Sequence, residues 1–123
     1  MGKRILVVED TEDNRQIIRD LLSSVGYELI EAADGAEAVA MAQAHRPDLI
    51  LMDIQLPVMD GYEVTRRIRA NPELATVPII AVTSYALSGD ETKAREAGCD
   101  GYVAKPFSPR HLLAKIREFL PED

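Results

Sequence analysis

Five short apolar runs, at residues 5–8 (ILVV), 28–30 (ELI), 49–52 (LILM), 79–82 (IIAV) and 102–104 (YVA), alternate with segments of helical periodicity. Strand-length runs separated by helix-length ones indicate βα units, because neighbouring parallel strands need long crossover connections. ILVV, LILM and IIAV are apolar throughout, as befits central strands covered on both faces. The mixed run at 28–30 suits an edge. The expectation is an α/β fold built on a parallel sheet.

Helix starts support this reading. Asp34-Gly-Ala-Glu37, Asp60-Gly-Tyr-Glu63 and Ser88-Gly-Asp-Glu91 each place an N-cap residue three positions before a glutamate. Ser108-Pro109 sets proline in the first turn, where its missing N–H costs nothing. Gly26 and Gly98 stand where left-handed caps would end the first and fourth helices. Ile18, Leu21, Leu22 and Val25 form one stripe, and Leu112, Leu113, Ile116 and Leu120 another. The fourth helix, from about residue 89 to 97, offers little apolar surface beyond Ala94 and Ala97, so it should be the least firmly anchored. Residues 71–78, with Pro72 and Pro78, read as a loop.

The 123 residues fit one domain, and 14 Lys plus Arg against 21 Asp plus Glu give a formal charge of −7. That balance argues against nucleic acid or an anionic membrane as partner. Cys99 is the one cysteine, so no internal disulfide can form. Four apolar residues before Glu9 are too few for a secretory segment, and no run approaches the ~18 residues of a membrane span. A soluble, cytoplasmic, single domain spanning residues 1–123 without an output domain is expected.

In an open parallel sheet, all strands end along one edge, where ligands bind. Here the strand ends are followed by Glu9-Asp10, Asp53, Thr83-Ser84 and Lys105-Pro106. Clustered carboxylates repel by about 4 kcal/mol per pair at ~4 Å in an effective dielectric of ~20. A divalent cation and a lysine would offset that repulsion, and few hard oxygen ligands suit Mg²⁺. Asp53, at the end of a buried strand, has the position of a nucleophile able to form an aspartyl-phosphate. Lys105 would stabilise charge on the transferring group.

Together, ILVVED (5–10), LILMDIQLPVMDGYEV (49–64), PIIAVTS (78–84) and GYVAKPFS (101–108) resemble the receiver domain of two-component response regulators over essentially the whole chain. Within that CheY-like family, the GCDGYVAKP stretch and the length look most like stand-alone receivers of the DivK type. The resemblance implies a flavodoxin-like (βα)5 doubly wound fold with strand order 2-1-3-4-5. It implies Asp53 as phosphoacceptor, taking its phosphoryl group from phosphohistidine on a sensor histidine kinase or a histidine phosphotransfer protein. Asp10 and Asp53, with the backbone carbonyl of Gln55, would hold Mg²⁺, and Glu9 would assist through water. Lys105 would pair with Asp53, and its bond to Pro106 would be cis. Thr83 would bond a phosphoryl oxygen and draw its loop inward, letting Tyr102 swing from solvent. The output face would comprise the fourth helix, fifth strand and fifth helix, with Lys93, Arg95 and Tyr102, and would contact a downstream protein. Tyr85 is bulky enough to restrict attacking water, so slow phosphate loss is expected.

Other residues carry less. Ile17, one turn from Asn14, fits either core packing or docking of the phosphodonor. His45 and His111 are isolated, and Cys99 shows no base partner. Arg66, Arg67 and Arg69 read as a solvated helix face.

Competing functions fit less well. A haloacid-dehalogenase-type phosphatase would want a second Asp where Gln55 stands, and a flavodoxin-like FMN protein would want a phosphate cradle where Glu9-Asp10 would repel one. A receiver acting without phosphorylation, or a receiver module excised from a hybrid kinase or larger regulator, remains open. The expectation is a switch that catalyses only its own phosphorylation and dephosphorylation, as a monomer or weak dimer, with no direct DNA or membrane contact.

Overall fold

The computed structural model describes residues 3–84 and 90–120. The elements run β1 (Arg4–Val8), α1 (Glu12–Ser24), β2 (Glu28–Ala32), α2 (Gly35–His45), β3 (Leu49–Asp53), α3 (Gly61–Arg69), β4 (Ile79–Thr83), α4 (Asp90–Ala97), β5 (Gly101–Ala104) and α5 (Pro109–Phe119). All pairings are parallel, in the order β2-β1-β3-β4-β5. The chain moves outward from β1 to β2 and then crosses back to β3, so the order reverses between the carboxyl ends of β1 and β3.

Alternation along the strands divides the core into two layers. Ile5, Val7, Leu49, Leu51 and Ile80 pack with Ile18 and Leu22 of α1 and Leu112 and Ile116 of α5. Leu6, Val8, Ile50, Met52 and Ile79 face Ala38 and Ala42 of α2, Val64 and Ile68 of α3, and Ala94 of α4. Each fully buried Leu or Ile contributes about 1.5–3 kcal/mol. The runs ILVV, LILM and IIAV thus form the central strands, as their composition indicates, with β2 and β5 at the two edges.

Caps fix where the helices begin. Asp34 accepts from Glu37 N–H at 2.8 Å, Asp60 from Glu63 N–H at 3.0 Å, and Ser108 Oγ from His111 N–H at 3.0 Å. Gly26 and Gly98 adopt φ of 90° and 114°, the left-handed conformation a helix-ending residue needs. The cap expected at Ser88 lies outside the described residues.

Several expectations need correction. Each strand extends beyond its apolar run by one or two residues, so Asp53 and Thr83 close β3 and β4 instead of following them. Ladder pairing is made by the main chain and admits a polar side chain at the last rung: Asp53 pairs with Val82 and Thr83 with Ala104. Val25 leaves the core stripe at 39% exposure because α1 has ended at Ser24. Residues 71–78 contain a 3-10 turn, Pro72–Leu74, that buries Leu74. Arg69 is not part of a solvated face: its guanidinium donates to Gly98 O at 2.9 Å, Leu74 O at 3.0 Å and Asp100 Oδ2 at 2.6 Å. It ties α3 to the turns that lead into β4 and β5, while Arg66 and Arg67 are exposed and pair with Glu63.

Candidate functional site

The carboxyl ends of β1, β3, β4 and β5 place the chemistry. Glu9 follows β1, and its N–H donates to Ala32 O at 3.0 Å, continuing the ladder past the strand. This turns its side chain inward, where it is 2% exposed. Oε2 accepts from Thr11 N–H at 3.1 Å and Oε1 from Lys105 Nζ at 2.9 Å. Asp53, 4% exposed, accepts from Gln55 N–H at 3.0 Å through Oδ1 and from Lys105 Nζ at 3.4 Å through Oδ2. Asp10 lies at the exposed mouth.

Gly61 keeps this edge compact. A Cβ there would stand 2.5 Å from the Asp53 carbonyl oxygen and 2.8 Å from Ile54 Cα, so the start of α3 can sit against β3 only without a side chain. The Asp60-Gly61 pair therefore serves both the cap and the approach to Asp53.

Glu9, Asp10 and Asp53 each offer a carboxylate oxygen within 4.8 Å of the others. Three hard oxygen donors at that separation, one from the exposed mouth, fit a divalent cation of the magnesium class, which keeps part of its water shell. The charges describe the same demand. Burial and then the Glu9 charge push the Asp53 carboxyl up to about 6, against Lys105 and the Gln55 amide. Burial alone would raise Glu9 too, but bonds from Lys105 and the Thr11 amide, with the lysine's charge, hold it below the usual carboxylate range. Burial would lower Lys105, yet its bond to Glu9 and the charge of Asp53 keep it above its ordinary value. An acid pair sharing one lysine leaves Asp53 repelled, which a bound cation would relieve.

Lys105 pairs with Asp53 at 3.4 Å and stands closer still to Glu9, at 2.9 Å, a second partner that the sequence did not suggest. Its peptide bond to Pro106 is cis, and its N–H donates to Thr83 O at 2.7 Å. Thr83 is buried at 1% exposure at the end of β4. Gln55, expected to act through its backbone, also uses its side chain: Nε2 donates to Thr83 Oγ1, and Oε1 accepts from Ser84 N–H at 2.9 Å. Residue type and spacing gave no sign of this bridge.

Tyr102 on β5 is half-buried against the layer that contains Ala94, not free in solvent. Lys93 and Arg95 are exposed, with Arg95 paired to Glu91 at 2.8 Å. Tyr85 lies outside the described residues. Ile17 is 61% exposed, which rules out core packing. It borders a cavity of about 520 Å³ that Glu9, Lys105, Pro106 and Phe107 also line. His45 and His111 are exposed. Cys99 is buried, with its Sγ 3.7 Å from Thr65 Oγ1. Burial pushes that thiol's pKa up, which suits an inert core residue.

Comparison with known proteins agrees with this geometry. The family model described as response regulator receiver domain matches residues 5–117. The chain is 46% identical over 120 residues to the polar-differentiation response regulator DivK of Brucella anthropi, covering 98% of each. Among solved structures, the receiver domain of a Pseudomonas aeruginosa sensor histidine kinase, with magnesium coordinated in its active-site cleft, superposes with a TM-score of 0.91. It is 43% identical, across 99% of this chain and 100% of that one. The chemotaxis protein CheY4 of Vibrio cholerae gives 0.92 at 33% identity, across 97% and 99%. Among the described residues, no helix is long and apolar enough to cross a membrane.

Proposed function

The chain belongs to the response regulator receiver domain family, and from that membership we propose that it works as a single phosphorylation-dependent switch with Asp53 as phosphoacceptor. The carrying observation is the convergence of Glu9, Asp10 and Asp53 within 4.8 Å beside Lys105. The phosphodonor is phosphohistidine on a sensor histidine kinase or phosphotransfer protein. An Asp53 oxygen bonds to phosphorus as the P–N bond breaks, and the departing imidazole keeps that electron pair and takes a proton. Glu9, Asp10 and Asp53, with the Gln55 backbone carbonyl, would hold Mg²⁺, Glu9 acting through water. When bound, the ion supplies positive charge for the phosphoryl oxygens and the acceptor carboxylate.

Lys105 turns from the free carboxylates to the new phosphoryl oxygens. The modification adds about −1.5 to −2 charge and acceptor oxygens at one point, and Thr83 moves to meet them. Only contacts that differ between two arrangements shift their populations. Thr83, with Lys105, supplies that difference, and Tyr102 carries it to the face of α4, β5 and α5, where a downstream protein binds. The chain turns over no external metabolite, acts in the cytoplasm, and binds neither DNA nor membrane directly. The bulk of Tyr85 is expected to slow phosphate loss, and Tyr85→Ala should lose phosphate faster.

Incubation with acetyl phosphate and Mg²⁺, followed by intact mass, tests the core of this reading. Wild type should gain one phosphoryl group, whereas Asp53→Asn and Mg²⁺-free samples should not. Uptake by Asp53→Asn would refute the acceptor assignment. The exposed Ile17 beside the cavity supports a docking role for the donor protein. Ile17→Ala should accept normally from acetyl phosphate and poorly from a cognate kinase. A second reading, a module of a larger kinase, draws support from the 43% identity to a sensor-kinase receiver.

A further inference from the structure

The Gln55 side chain holds two consecutive residues of the neighbouring strand end. Its Nε2 donates to the Thr83 hydroxyl oxygen, and its Oε1 accepts from Ser84 N–H at 2.9 Å. Its own N–H meanwhile donates to Asp53 Oδ1 at 3.0 Å. The backbone alongside is pinned as well, with Ile54 N–H donating to Val82 O at 3.0 Å. One half-buried residue thus links the acceptor carboxylate to the hydroxyl at the end of β4.

We infer that Gln55 is a positioning residue whose carboxamide clamps Thr83 and Ser84 in place and opposes their closure on a phosphorylated Asp53. The inference rests on the assignment of Asp53 as acceptor and Thr83 as the group drawn to it. A backbone N–H is a single donor, so the Ser84 amide cannot serve Gln55 and a phosphoryl oxygen together. The Thr83 hydroxyl can accept from Nε2 while donating elsewhere, but only within reach of the carboxamide. Moving the strand end inward stretches both bonds, and because they share one planar amide they loosen together. The clamp therefore adds to the threshold: phosphoryl contacts must also offset the two Gln55 hydrogen bonds before Thr83 and Ser84 move inward.

Beryllofluoride with excess Mg²⁺ imitates a phosphoryl group on a carboxylate and separates binding from the rate of transfer. Its titration, followed by ¹⁹F NMR, should compare wild type, Asp53→Asn, Gln55→Met and Gln55→Ala. Methionine keeps the length of glutamine without its strong donor and acceptor, and alanine removes the reach altogether. Wild type should bind and Asp53→Asn should not. Both Gln55 variants should bind roughly five- to thirtyfold more tightly, as loss of one or two ordinary hydrogen bonds predicts. In ligand-free protein, the Ser84 amide should exchange its hydrogen faster in both variants. A merely structural role would lower thermal stability and weaken binding instead. Equal or weaker binding by the folded variants, or unchanged Ser84 exchange, overturns the clamp and leaves the Asp53 assignment standing. Failure of wild type to bind overturns that assignment, and the clamp with it.

Discussion

Lys105 Nζ reaches Glu9 Oε1 at 2.9 Å across 96 positions of sequence, and so stands nearer to Glu9 than to Asp53. Glu9 competes with Asp53 for the lysine and also adds repulsion to it. Glu9→Gln should therefore bring the Asp53 carboxyl below its value of about 6. Carboxyl ¹³C shifts followed against pH in metal-free protein measure this. A rise on substitution would show that Glu9 serves chiefly to hold the lysine in place.

The raised Asp53 carboxyl sets a pH dependence of stability. A carboxyl whose folded pKa exceeds its unfolded one contributes fully at low pH and loses that contribution as pH rises. For Asp53 the window lies between 3.8 and about 6. Without Mg²⁺ at pH ~7, Asp53→Asn should stabilise the fold by about 1–2 kcal/mol after allowance for solvent screening. The gain should vanish near pH ~4 and shrink when Mg²⁺ is added to both proteins. Urea midpoints at the two pH values, with and without the ion, provide the test. An equal gain at both would show that ionisation is not its source.

Arg69 and its helix neighbours separate structural from surface charge. Arg69→Met removes donors from Gly98, Leu74 and Asp100 together, with an expected loss of about 2–3 kcal/mol. Arg66→Met and Arg67→Met break only exposed pairs with Glu63, and each should stay within about 0.5 kcal/mol of wild type. Thermal midpoints rank the three. Similar values for all would mean that the partly buried network contributes nothing.

Val58 holds φ at 67° with its side chain fully in solvent. A β-branched residue in the left-handed region is strained by roughly 1–2 kcal/mol, and here no packing offsets it. Val58→Asn, which tolerates that conformation without the extra chain freedom of glycine, should gain about 1 kcal/mol. Val58→Ala should gain less. Denaturant titration of the two decides whether the strain is local or imposed by a contact elsewhere.

Much of this was legible because it depends on pattern alone. Strand runs such as ILVV and IIAV have to be covered on both faces, and Asp34, Asp60 and Ser108 cap through bonds that span three residues. Once the sheet is parallel, Glu9, Asp53, Thr83 and Lys105 have to share its edge. What escaped depends on side-chain reach. Periodicity put Arg69 on an outer face, but its length lets the guanidinium turn back to Gly98 and Asp100. Gln55 was read for its carbonyl, since nothing in the spacing says which way a carboxamide will turn. Lys105 could be assigned to an acid, but not to Glu9 over Asp53, because burial and the Thr11 amide decide how each acid presents its oxygens. The strain at Val58 is a backbone property that valine gives no reason to expect.

The seat of α4 has a mechanical consequence. Among its described residues, those sunk into the protein are Ala94 and Ala97, so the contact consists of single methyl groups. A large side chain would have to withdraw from its socket before the helix could shift, leaving a void of the kind that makes core rearrangements costly. Methyl groups on a smooth bed can slide by a fraction of a turn and find new neighbours at nearly equal dispersion energy. The helix thus resembles a low-friction bearing, and on the proposed switch a modest push from the strand beside it should suffice to change the shape of this surface.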